Sequence, residues 1–209
     1  MKTAVFMPSD RELIQIVDAS LAEAARLAGA WLACRPGCAE CCMEPFAITP
    51  LDAQRLRDGL AELESRDPGR AARVRARAAE SVERLTREYP DDTVAQVLAI
   101  DEAGENELCP ALDPETRTCD LYGARPITCR AFGPPVRFNG ESIAVCELCF
   151  DGATVEEVER CVVEIDPENL EAELVQGFGD RADTIVAFAL IDAPSAHGQA
   201  GRPTPPTAT

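Results

Sequence analysis

Cysteine is the residue that carries chemistry in this sequence, and nine of its ten cysteines fall in two stretches. The first is CRPGCAECC, where Cys34, Cys38, Cys41 and Cys42 are spaced C-x3-C-x2-C-C. The second is dispersed and holds Cys109, Cys119, Cys129, Cys146 and Cys149. Short loops between thiolates let several sulfurs reach one ion at little loop-closure cost. Cys38 and Cys41 have the C-x2-C spacing common to zinc and iron–sulfur sites. A tight group, a gap of 66 residues and then a dispersed set is how one site is built from two distant segments. Metal would then tie the first stretch to the second. The adjacent pair Cys41-Cys42 leaves two readings open, because neighbouring side chains usually diverge. Either one of the two is a packing residue, or the chain holds two four-thiolate centres. Cys161 lies among valines on an expected helix and reads as a buried, inert thiol.

Disulfides are the competing use of so many cysteines, and the cell compartment decides between them. The opening MKTAVFMPSDRELIQ has no secretory leader pattern. No run of about 18 apolar residues exists to span a membrane. The expectation is a cytoplasmic protein with reduced thiols. The 209 residues suffice for one domain, and 46% hydrophobic content rules out a wholly disordered chain. With 37 acidic residues against 20 basic ones the net charge is −17, and 19 of the 20 bases are arginine. Such a surface repels phosphate backbones and anionic lipid, so neither nucleic acid nor membrane is an expected partner.

Other chemistries lack their residues. There is no GxGxxG, no phosphate-binding P-loop and no alternating βα pattern, which argues against nucleotide folds. The single histidine, His197, lies in a Pro-rich tail. A Cys–His or Ser–His catalytic pair is therefore not expected, and a His-ligated zinc hydrolase is excluded. Asp113 and Asp120 sit near the cysteines, where they read as turn residues or partners of Arg125. The catalytic residues, if any, are unknown.

The elements that must position the thiols are mainly helical. Ser9 and Glu12 form a capping-box pattern, and Ile14, Val17, Leu21, Ala24, Ala28 and Trp31 recur at helical spacing up to Cys34. Thr49-Pro50 and Asp67-Pro68 start a second helix of about 14 residues and a third that ends near Pro90. A short fourth is expected from Asp92 to Glu102. Residues 109–149 are broken by Pro and Gly, with one β-hairpin about Asn139-Gly140 joining Val136–Phe138 to Ser142–Val145. Further helices are expected over Glu156–Cys161, from Asp166-Pro167, and over Arg181–Ile191. The expected architecture is mainly α: a single helical domain over residues 1–192, an irregular Cys/Pro-rich region with one small hairpin, and a disordered tail over 193–209. Residues 66–88 carry seven arginines against four acids, while 91–116 carry eight acids and no base. The plain expectation is that the two pack side by side through solvated pairs. A docking face for an acidic partner is the alternative.

The cysteine pattern and its surroundings resemble a known family. CRPGCAECC, then FAITPLDAQRL, then CPALDPETRTCDLYGARPITCRAFG is similar to the YkgJ-like cysteine-cluster family, a zinc- or iron-chelating domain. The matching residues are Cys34, Cys38, Cys41, Cys42, Cys109-Pro110, Cys119, Tyr122, Arg125-Pro126, Cys129 and Arg130, over roughly residues 34–150. Cys146 stands where the family tends to have a further cysteine, and Cys149 is an addition. The resemblance implies metal binding but supplies no reaction. Relatives that resemble flagellin lysine methylases tilt the expected cofactor toward an iron–sulfur cluster, [4Fe-4S], over zinc. All-thiolate ligation suits both. Either site is anionic, and Arg117, Arg125 and Arg130 are placed to offset it. The expected function is a metal-binding cysteine-cluster protein, its metal largely structural, with a surface that recruits a protein partner. An iron–sulfur redox protein or cluster-dependent enzyme, and a metal chaperone or store, are the alternatives.

Overall fold

Side-chain caps set where the long helices begin. A computed structural model describes residues 9–100, 103–104, 107–138, 140–143 and 145–191. Helix α1 (Asp10–Ala28) starts at Ser9, whose Oγ accepts the Glu12 amide at 3.3 Å. Helix α2 (Pro50–Arg66) starts at Thr49, whose hydroxyl accepts the Asp52 amide at 3.2 Å. Helix α3 (Pro68–Glu88) follows with Asp67 accepting the Arg70 amide at 2.9 Å, and α4 (Thr93–Ala99) is capped by Asp92. Each cap satisfies a backbone donor that the first turn leaves unpaired. Helix α1 does not reach Cys34, as the spacing suggested. Gly29 ends it at φ +52°, where a side chain would strain the backbone, and a 3-10 turn (Gly29–Trp31) follows. Helix α4 also stops early, at Ala99.

The Pro- and Gly-rich stretch is more ordered than a single hairpin. Strands β1 (Leu112–Asp113) and β2 (Thr118–Cys119) form a first antiparallel pair. The Asp113 carboxylate closes their turn by accepting the amides of Glu115 and Thr116 at 2.9 and 3.1 Å. Helix α5 (Ile127–Ala131) follows. The expected hairpin is present as β3 (Val136–Phe138) and β4 (Glu141–Ile143). Helix α6 (Val155–Glu159) has the full capping box at Thr154 and Glu157. Strand β5 (Val163–Glu164) then joins β3 in parallel, a pairing too distant in sequence to foresee. Helix α7 (Leu170–Gln176) begins later than Asp166-Pro167 implied, because the Asp166 carboxylate reaches forward to the amides of Leu170 and Glu171. Helix α8 (Val186–Ile191) is shorter than expected because Thr184 is held in an antiparallel bridge with Ile48. The expected tail over 193–209, with His197, lies outside the described residues.

The fold is mainly α. Helices α2, α3 and α8 bury Leu56, Leu60, Val74, Ala78 and Leu190 against one another. A second apolar cluster packs Leu13 and Val17 of α1 on Ile127, Val136, Ile165 and Leu170. Each fully buried Leu or Val contributes about 1.5–3 kcal/mol, so these two clusters are the frame on which the cysteine segments sit. Among the described helices none is long and apolar enough to cross a membrane.

Candidate metal centre

The first cysteine segment is folded around one buried alanine. The turn after α1 delivers Cys34, and the Cys38 amide bonds the Arg35 carbonyl at 2.9 Å. Ala39 is wholly buried, and a 3-10 turn (Glu40–Cys42) closes with the Cys42 amide on the Ala39 carbonyl at 2.9 Å. Ala39 thus sits between Cys38 and Cys41 as a pivot, and the thiols on its two sides enter different groups.

Cys41 and Cys42 join Cys109, Cys119 and Cys129. The Cys109 amide donates to the Cys42 carbonyl at 2.8 Å, fixing one segment on the other. The β1–β2 pair then returns Cys119 opposite Leu112. Cys129 is carried by α5, whose first amide, from Ile127, is held by the Asp52 carboxylate at 3.2 Å. The Cys41 and Cys42 thiols are close enough to shift each other, so these neighbours do not diverge. The Cys42 thiol, with Arg125 nearby, lowers Cys41 to about 6 against the opposing effect of burial. The Cys41 thiol and burial push Cys42 up. Burial, then the proximity of Cys119, pushes Cys109 up to about 12, and burial also raises Cys119 and Cys129.

Cys34, Cys38, Cys146 and Cys149 form the other group. The Phe150 amide bonds the Trp31 carbonyl at 3.0 Å, and the two rings stack at 6.0 Å, pinning the 146–150 loop to the end of α1. The Cys149 amide bonds the Cys146 carbonyl at 2.8 Å. The Cys34 thiol lies near that of Cys149. Burial, then the Cys149, Cys38 and Cys146 thiols, push Cys34 up to about 11, and burial raises Cys146. Cys161 packs in the same apolar cluster as Cys146 and Cys149.

The arginines divide their work. Arg125 stacks its guanidinium over Tyr122, 3.6 Å from the ring centroid, and places positive charge near Cys41, Cys119 and Cys129. Arg130 supports it by donating to the Arg125 carbonyl at 3.0 Å, while also pairing with Asp18 at 2.7 Å. Arg117 donates to the Gly37 carbonyl at 3.2 Å, between Cys34 and Cys38. Asp113 is a turn residue, as expected, but Asp120 does not partner Arg125. Its carboxylate, with no exposed side-chain surface, is gripped by Arg70 and Arg77 of α3. Arg77 also donates to the Pro110 carbonyl at 2.8 Å. The basic helix therefore does pack on the cysteine region, but through a buried acid as well as through the Arg84–Glu107 pair at 2.6 Å. Arg70 and Arg77 were missed at sequence level. Their seven-residue spacing beside the buried Ala71, Val74 and Ala78 was the available signal.

Both groups consist of thiols, the donors that suit zinc and iron–sulfur clusters. Among the described residues, no group of three or more His, Cys, Asp or Glu side chains is already arranged to hold a metal ion. The donor chemistry fits such a group. No curated protein and no solved structure matches the chain. A family model described as "CxxCxxCC: Putative zinc- or iron-chelating domain" matches residues 33–149, more than half of the chain and all nine of the grouped cysteines. The chain therefore belongs to the CxxCxxCC family of zinc- or iron-chelating domains.

Proposed function

We propose that this protein binds metal through thiolates drawn from residues 34–42 and 109–149, and that the metal is chiefly structural. One observation supports the reading: the two cysteine-bearing segments, 66 residues apart, are bonded backbone to backbone beside their cysteines, Cys109 to Cys42 and Phe150 to Trp31. An ion there replaces chain entropy with coordination bonds, so metal affinity becomes folding energy. Zinc takes four thiolates in a closed tetrahedral site, and a cubane iron–sulfur cluster also takes four. The ligand assignment is Cys34, Cys38, Cys41, Cys42, Cys109, Cys119, Cys129, Cys146 and Cys149. Exposed Tyr122 and Leu148, beside Cys119 and between Cys146 and Cys149, give the cysteine region apolar contact points. Together with the net charge of −17, they suit a protein partner better than nucleic acid or anionic lipid.

Elemental analysis of the full chain purified without oxygen tests this reading. The expected result is iron or zinc bound in stoichiometric amount, with a melting temperature that falls on chelation. Neither metal, with the chain folded and its thiols free, would overturn it.

A further inference from the structure

The grouped thiols fall into two sets of neighbours. We infer that this chain holds two separate metal centres, one on Cys34, Cys38, Cys146 and Cys149 and the other within Cys41, Cys42, Cys109, Cys119 and Cys129. The inference rests on the metal-binding reading and adds to it the number of centres and the residues of each. Three observations carry the division. The two groups belong to different apolar clusters: Cys146 and Cys149 pack with Ala28, Phe150 and Trp31, whereas Cys109 and Cys119 pack on the α2–α3–α8 cluster. Each group has its own backbone clasp, Phe150 to Trp31 for the first and Cys109 to Cys42 for the second. The CRPGCAECC loop is divided at the wholly buried Ala39: Cys34 and Cys38 before it neighbour Cys146 and Cys149, and Cys41 and Cys42 after it neighbour Cys109 and Cys119.

The surroundings also differ. The first group lies beside the Trp31–Phe150 stack, with Gly133 close against Cys34. The second lies beside the Arg125 guanidinium. A four-thiolate centre takes all four sulfurs of the first group and four of the five in the second. The sequence pattern alone left one centre or two open, because it does not show that the division falls between Cys38 and Cys41 rather than between Cys41 and Cys42.

The test is metal stoichiometry of the intact chain purified without oxygen, followed by the same measurement on two double variants. Two centres give about two zinc, about eight iron, or one zinc with about four iron per wild-type chain. Cys38→Ser with Cys146→Ser should keep only the metal of the second centre, and Cys109→Ser with Cys129→Ser only that of the first. One zinc or about four iron in the wild type overturns the division while leaving metal binding intact. So does complete metal loss from both double variants when each keeps its wild-type circular dichroism. A folded wild type free of metal removes the metal-binding reading itself. If a double variant does not fold, timed zinc or iron release from the wild type to a chelator decides the matter. Two equal phases support two centres, and a single phase overturns them.

Discussion

At the scale of single residues, the buried charges are the part of this molecule with the largest stakes. Arg77 is bonded to both the Pro110 carbonyl and the Asp120 carboxylate, one residue beyond Cys109 and one beyond Cys119. Removing it strands a carbonyl and leaves a fully buried carboxylate with Arg70 alone. Hydrogen bonds to charged groups are worth about 1.5–3 kcal/mol. Arg77→Gln should therefore cost about 2 kcal/mol in urea unfolding. Arg77→Lys should fall between, because an ammonium restores the charge but not the two-pronged reach. Equal stability of all three proteins would show that the clamp contributes nothing. Glu171 makes a different kind of prediction. It is buried beside Asp52 and Asp166, with Thr49 donating to it and Arg55 nearby. Burial first, then the Asp52 charge, raises its carboxyl from the ordinary 4.5 to about 7. The folded chain thus keeps a proton that the unfolded chain has released. Its stabilising effect is complete below pH 4.5 and is lost as pH rises through 7. Glu171→Gln should remove that decline, so its melting temperature should gain on the wild type as pH rises from 4.5 to 7.5. A constant difference between the two proteins across that range would refute the assignment.

At the scale of elements, what is local was readable and what is distant was not. Ser9, Thr49, Asp67 and Asp92 announce their helices because each cap is a bond to an amide three residues ahead. The β3–β4 hairpin was readable because Asn139-Gly140 specifies its turn. Strand β5 was not, since its parallel pairing with β3 depends on a crossover through α6. The pairing of Ile48 with Thr184, which shortens α8, spans most of the chain and leaves no mark on either segment. For the site, the residue types were legible and their grouping was not: Cys34 and Cys42 look alike in sequence, and only the fold places one near Cys149 and the other near Cys109. One glycine between elements tests that grouping. Gly133 follows α5 and bridges to Val145, at φ +131°. A Cβ there would lie 3.0 Å from the Cys34 sulfur. Gly133→Ala must both strain the backbone and displace Cys34. Its expected cost is about 1–3 kcal/mol, together with faster metal release from the Cys34 group alone. Release from the Cys41 group at the wild-type rate is the control within the same experiment, and an unchanged rate from both would show that Gly133 does not shape the site.

At the scale of the whole molecule, the fold has two kinds of support, and metal removal should separate them. The packing of α2, α3 and α8 is made from leucine, valine and alanine and uses no cysteine between the helices themselves. The described parts of residues 109–150 form short elements, two- and three-residue strands, a 3-10 turn and a five-residue helix. Leu121 and Ile127 anchor them to the two apolar clusters, and between those anchors they are held by Asp120, Asp52 and the two backbone clasps at the cysteine groups. Without a cation, burial and neighbouring thiols raise Cys34 and Cys109 while Cys41 is lowered, so the groups do not supply the attraction that a metal would. The net charge of −17 adds repulsion to any loosened state. Chelation should therefore loosen residues 109–150 while the three-helix packing persists. Most of the helical circular dichroism should survive, and hydrogen exchange should quicken in 109–150 long before it quickens in α2 and α3. Restoring the metal should reverse the change. Uniform exchange across the chain after chelation would mean that the helical frame itself depends on the metal, and that the cysteine groups are the keystone of the fold.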